Sequence, residues 1–124
     1  MARVFLDTNF VIETIGLRRS KIASQNLSGH IAFVSPLTIH IMCYSFKIDI
    51  PDKRIDNFVD QVDLIDFNED LTANALSGPT NDFEDNIQLH SAVQANADFF
   101  LTNDDDLLKM KFFGKTKIVN KLTY

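Results

Sequence analysis

The stretch Arg3-Val4-Phe5-Leu6, followed at once by Asp7-Thr8-Asn9, constrains this chain more than any other. A short, almost wholly apolar run suits a parallel strand buried on both faces. The three residues after it are all good helix caps, so the chain should pass from strand to helix at Asp7. Phe10, Val11 and Ile15 would then lie on the helix's inner side. The same alternation recurs. Ile31–Val34, Asp63–Phe67, Phe99–Leu101 and Lys117–Val119 read as strands. Helices are expected at Ser20–Leu27, Leu37–Phe46 (apolar nearly all round, hence buried), Asp52–Val62, Asn68 to about Leu76, Asp82–Asn96 and Asp104–Lys109. Strands alternating with helices imply a parallel sheet covered on both sides.

With 124 residues, the chain should form a single domain over 1–124. A core of this size needs no disulfide, and the single Cys43 could not make one internally. One thiol and no secretory pattern lead to the expectation of a cytoplasmic protein. No apolar run approaches the roughly 20 residues of a membrane span, so no membrane partner is expected.

The net charge of −5 argues at first against a nucleic-acid partner. Its distribution removes the objection. The chain is net +3 through Lys47, net −13 from Ile48 to Asp106, and net +5 from Leu107 onward, where five lysines meet no acid. Composition excludes only a uniformly basic protein.

In open parallel sheets, ligands bind beyond the carboxyl ends of the strands. Asp7 is the first residue after the first strand, Asp104 closely follows Phe99–Leu101, and Asp82 and Asp85 share a face at the start of the long helix. If the first and fourth strands are neighbours, Asp7, Asp85 and Asp104 meet in one crevice. Clustered carboxylates repel one another and partly protonate unless a cation offsets them. Hard oxygen donors select Mg²⁺ or Mn²⁺ over zinc. Such a site can polarise a phosphodiester and activate water. Taken singly, each acid is also explained as a helix cap, and Asp98 as a backbone partner; the functional reading rests on the combination.

His30, His40 and His90 are too scattered for zinc, no nucleophile motif surrounds a Ser or Cys, and no glycine-rich phosphate loop is present. Most of the eleven phenylalanines fall at core periods; Phe112-Phe113, among lysines, does not. Arg18-Arg19 with Lys21 forms a basic knot suited to phosphate or to an acidic protein segment.

Phe5-Leu6-Asp7-Thr8-Asn9, Asp82-Phe83-Glu84-Asp85 and Ala97-Asp98-Phe99-Phe100-Leu101-Thr102-Asn103-Asp104, in that order and at those separations, resemble a PIN domain over essentially the whole chain. The resemblance implies a three-layer α/β/α sandwich around a parallel sheet of about five strands in the order 3-2-1-4-5. It implies a Mg²⁺- or Mn²⁺-dependent ribonuclease acting on RNA, of the VapC type that serves as the toxin of a toxin–antitoxin pair. An antitoxin protein and a second copy of the chain, as a homodimer, are the partners it implies. Residue by residue, Asp7, Asp85 and Asp104 match metal-site acids, Asn9 and Thr102 match polar residues that support them, and Asp82 could serve as an outer partner. One position departs. The family usually carries Ser or Thr, two residues, then Glu on the helix after the second strand. Here Thr38-Ile39-His40 is followed by Ile41, which cannot bind a metal, and His40 points about 100° away around the helix. The alternative implied by Ile41 is a catalytically weakened or inactive PIN-like binding or regulatory module.

Overall fold

The fold is given by a computed structural model that describes residues 1–15 and 27–122. Its sheet has six strands in the order β3-β2-β1-β4-β6-β5. In chain order these are β1 (Arg3–Leu6), β2 (Ile31–Val34), β3 (Asp63–Leu64), β4 (Phe99–Leu101), β5 (Phe112–Phe113) and β6 (Thr116–Val119). All pairings are parallel except β5 with β6. The expected order 3-2-1-4 followed by a last parallel strand is therefore present, with β6 as that strand. An antiparallel edge strand, β5, is added beyond it. Phe112–Phe113 gave no strand signal because two residues carry no readable alternation.

The central strand shows why its sequence is apolar throughout. Val4, Phe5 and Leu6 are fully buried. Alternate side chains leave opposite faces of a strand, so Val4 and Leu6 enter one core cluster and Phe5 the other. The first cluster gathers Phe10 and Val11 of α1 (Thr8–Phe10) and its π-helical continuation Val11–Ile15, Met42 of α2 (Pro36–Ser45), and Ile55 and Phe58 of α3 (Lys53–Asp60). On the other face lie Leu89 and Ala92 of α5 (Phe83–Gln94) and Leu107 of α6 (Asp105–Met110). There the Phe5 and Phe100 rings stack at 5.6 Å between centroids. Burying each such side chain contributes about 1.5–3 kcal/mol. A third, smaller cluster joins Leu71 and Ala75 of α4 (Glu69–Ser77) to Ile87 of α5, with Leu37 of α2 against it. The result is the expected three-layer arrangement, and it draws the amino ends of α2 and α5 toward the same end of the sheet.

Two sequence expectations are corrected, and a third lies outside the described residues. Helix α2 is not buried: only Thr38 and Met42 are, while Tyr44 is 80% exposed. Its apolar residues run all round the helix, so one side of them necessarily faces solvent. Asp63–Phe67 pairs only over Asp63–Leu64, both exposed, because it forms the sheet edge. The helix expected at Ser20–Leu27 lies almost entirely outside the described residues, as do Arg18, Arg19 and Lys21; Leu27 itself stands in a turn and is buried. No helix among the described residues is long and apolar enough to cross a membrane.

Candidate active site

Asp7 occupies the junction of β1 and α1. Its amide donates to the Leu101 carbonyl of β4 at 3.0 Å, and its carbonyl accepts from Val11. It holds the N-cap position of α1, yet its side chain caps nothing. The carboxylate is 1% exposed, and Oδ2 accepts the Thr102 hydroxyl at 2.8 Å. Oδ1 is buried with no hydrogen-bond partner. A buried carboxylate oxygen left open is costly and calls for a ligand or a proton.

Thr102 and Asp104 complete this side of the site. The Thr102 hydroxyl, while donating to Asp7, accepts the Asp104 amide at 3.0 Å. One Asp104 oxygen, Oδ1, caps α6 by accepting the amides of Asp106 and Leu107 at 2.9 and 3.1 Å. Asn103, between them, donates to Glu13 at 3.2 Å and so ties the loop to the π-helical turn.

Asp85 comes from the first turn of α5. The helix is capped by Asp82, whose Oδ1 accepts the Asp85 amide at 2.9 Å. Asn86 anchors the same turn. Its amide nitrogen donates to the carbonyls of Ala75 and Thr80 at 2.9 and 3.0 Å, and its oxygen accepts the Thr80 amide and hydroxyl. Asp82 and Asp85 line an open cleft of about 670 Å³ together with Asp106, Thr80, Leu107 and Met110.

The charges report on one another. Burial, then the neighbouring charges of Asp85 and Glu84, push Asp7 up to about 7 against the lowering effect of Thr102. Burial and the charges of Asp82, Asp104, Glu84 and Asp106 push Asp85 up to about 6. Glu84 is also raised, by burial and by Asp82. Asp85 thus feels the charge of Asp104 and in turn acts on Asp7. Near neutral pH Asp7 is therefore partly protonated, and a dication would displace that proton.

That donor set is all hard oxygen, and Oδ1 of Asp7 is an open buried acceptor, which fits Mg²⁺ or Mn²⁺ and not zinc. Among the described residues, no group of three or more His, Cys, Asp or Glu side chains is gathered closely enough to hold a metal ion as it stands. A dication here would take part of its shell from water, as Mg²⁺ habitually does.

A family model described as the PIN domain matches residues 4–113. The chain belongs to the PIN domain family. No curated protein matches it. Among solved structures it is similar to a chain of VapBC2 from Rickettsia felis, bound to a DNA fragment from their promoter. The TM-score is 0.67 at 16% identity, over 96% of this chain and 98% of that one. The likeness is one of fold.

The remaining positions fall as follows in this PIN domain. Thr38, in the first turn of α2, shares a 2.7 Å hydrogen bond with the hydroxyl of Thr8, next to Asp7. Ile41 stands one turn beyond Thr38 on the same side of α2 and is half-buried. His40 is exposed and stacks on Tyr44. Asn9 is exposed, and no hydrogen bond joins its side chain to Asp7. Asp98 accepts the Arg3 amide at 2.9 Å, the backbone role expected of it. His90 meets the Gly78 carbonyl at 2.9 Å. Asn86 escaped the sequence reading, because an Asn in a first helical turn looks like a cap. Gln88 escaped it too. It is fully buried on α5 with both amide atoms unpartnered.

Proposed function

We propose that this PIN domain is a Mg²⁺- or Mn²⁺-dependent endoribonuclease and the toxin of a toxin–antitoxin pair. The observation that carries the reading is Asp7: a carboxylate buried at a strand end, held through one oxygen by Thr102, with the other oxygen open and facing the charge of Asp85 and Glu84. Asp7, Asp85 and Asp104 would hold the cation, which when bound supplies a polarised phosphodiester and a more acidic water. Thr102 fixes the rotamer of Asp7 and the position of the Asp104 amide with one hydroxyl. Asp82 and Asn86 hold the first turn of α5, and hence Asp85, against the cleft in which the phosphate would lie. Asn9, whose side chain is exposed, would meet substrate or water. The antitoxin would be the protein partner, and a homodimer the resting assembly.

The test is cleavage of single-stranded RNA with Mn²⁺. Activity should vanish with EDTA and in Asp7→Asn; activity surviving either change sinks the reading.

Ile41 supports a second reading, a PIN domain with weakened or lost catalysis and a binding role. An apolar side chain stands on the face of α2 that carries Thr38, where the family places an acid. Absence of cleavage by the natural chain, with activity gained in Ile41→Glu, would select it.

A further inference from the structure

We propose that the solvent face of the β5–β6 hairpin, built from Phe112, Lys117 and the lysines around them, is the surface along which single-stranded RNA lies on its way to the carboxylate site. The inference rests on the ribonuclease reading above and adds where the substrate is held.

The register of the hairpin sets the face. Phe112 opposes Lys117 and Phe113 opposes Thr116. Directly opposed residues share a side of the sheet. Phe113 and Thr116 turn toward α5: the Phe113 ring meets His90 edge-on at 5.0 Å, and the Thr116 hydroxyl donates to the Ala97 carbonyl at 2.8 Å. Phe112 and Lys117 therefore occupy the opposite side. Both are open to solvent there: Phe112 is 56% exposed and Lys117 is exposed. A large aromatic ring thus stands open beside a lysine.

The charge of this region is of one sign. Beyond Asp106 the chain carries Lys109, Lys111, Lys115, Lys117 and Lys121 and no acid. All five are exposed. Lys109 comes no closer than 3.9 Å to Asp106, and among the described residues the other four make no ion pair. The described arginines are engaged elsewhere. Arg3 donates to the Ala95 carbonyl and lies over the Phe33 ring, and Arg54 is paired with Asp52 at 2.7 Å. In a chain of net charge −5, this run of exposed lysines, four of them without an ion pair among the described residues, complements a polyanion.

The face also leads to the site. The Val119 carbonyl, at the end of β6, accepts the Thr102 amide at 3.0 Å. Lys121, two residues on, thus emerges beside the loop that carries Thr102 and Asp104. A backbone neutralised at Lys117 and Lys121, with a base on Phe112, would be guided toward those carboxylates. Single strands are favoured over duplexes because stacking on a side chain requires an open base face.

Binding would be measured by fluorescence anisotropy in the Asp7→Asn protein without metal, so that no cleavage intervenes, using a labelled single-stranded RNA oligonucleotide of mixed sequence. We expect Phe112→Ala to weaken binding about tenfold. In Lys117→Gln/Lys121→Gln the slope of log affinity against log salt should shrink by about 1.4, or about 0.7 for each lysine. Lys53→Gln should bind as the parent does, and circular dichroism should show all variants folded. Unchanged affinity in both hairpin variants overturns the inference. So does an equal loss in Lys53→Gln, equally tight and equally sensitive binding of duplex DNA, or displacement of RNA by poly-glutamate at equal charge, which would mark the face as a protein-docking surface. Hairpin-dependent binding by a chain that cleaves no RNA would leave this inference standing and remove the ribonuclease reading. Full cleavage at sub-saturating RNA by the hairpin variants would remove this inference alone.

Discussion

Thr102 holds Asp7 across the sheet: a hydroxyl at the end of β4 donates to the carboxylate at the end of β1 over 2.8 Å. Both residues are buried, at 0% and 1% exposure, so the bond works in a medium that strengthens it and makes its loss expensive. Thr102→Val keeps the shape and removes the bond. It should destabilise the protein by about 2 kcal/mol at pH 8, where Asp7 is charged, and by less at pH 5. Denaturant unfolding at the two pH values measures the difference. An equal cost at both would show that the hydroxyl does not act on the charged carboxylate.

The raised pKa of Asp7 sets the sign of a pH effect. Its ordinary value is 3.8 and the folded value is about 7, so between these limits the folded chain keeps a proton that the unfolded chain has released. Stability from this group is therefore highest below about pH 4 and falls as pH rises toward 7. Asp85, raised to about 6, acts in the same direction. In metal-free protein, Asp7→Asn should stabilise on the order of a few kcal/mol at pH 8 and have little effect at pH 4. Melting curves of the two proteins across that range test it, with a pH-independent difference as the contrary result.

A dication should compete with the same proton. Mn²⁺ at a hundredfold excess over its dissociation constant would add about 2.7 kcal/mol to stability, and EDTA would remove it. The gain should shrink below about pH 6 as Asp85 and Asp7 take up protons. Calorimetric titration should show tighter binding, by about tenfold, in Ile41→Glu than in the natural chain, a gain of about 1.4 kcal/mol. Equal affinity in the two would show that position 41 does not reach the ion.

Two buried amides on α5 should respond in opposite ways. Asn86 satisfies the Ala75 carbonyl on α4 and the amide, carbonyl and hydroxyl of Thr80 on the loop before α5, so Asn86→Ala leaves several of them unpaired. Its expected cost is on the order of 3 kcal/mol. Gln88 has no partner for either amide atom, and Gln88→Met should be neutral or stabilising by about 1 kcal/mol. Chemical denaturation of both variants decides the matter; a large loss in Gln88→Met would reveal a buried partner such as water.

Much of this architecture was readable along the chain because the strands are buried on both faces. Val4-Phe5-Leu6 and Phe99-Phe100-Leu101 announce themselves by apolar continuity, and Asp82 and Asn68 cap their helices through the side-chain oxygens that their residue types suggest. The edge was readable only in part. The alternation of Asp63–Phe67 marks β3 but overstates its length, and the two residues of β5 pair through their neighbours and not through any pattern. The placement of Asp7, Asp85 and Asp104 at strand and helix ends could be deduced from spacing. The bond from Thr102 to Asp7 could not, because it depends on β4 lying beside β1. Asn86 and Gln88 carry the same kind of amide, and only their surroundings separate an anchor from an orphan.

The Asp7 amide is hydrogen-bonded to Leu101, in the middle of the sheet and between its two core clusters. Backbone protons in such places exchange with solvent only when most of the molecule opens. The residue that primes the proposed chemistry is thus among the last to be exposed by fraying, and a partial opening at the edges leaves it armed. On the proposed reading, a cell that makes this chain would have no gentle local unfolding with which to silence it. Restraint would then have to come from outside, by something that covers the cleft, or by destroying the chain altogether.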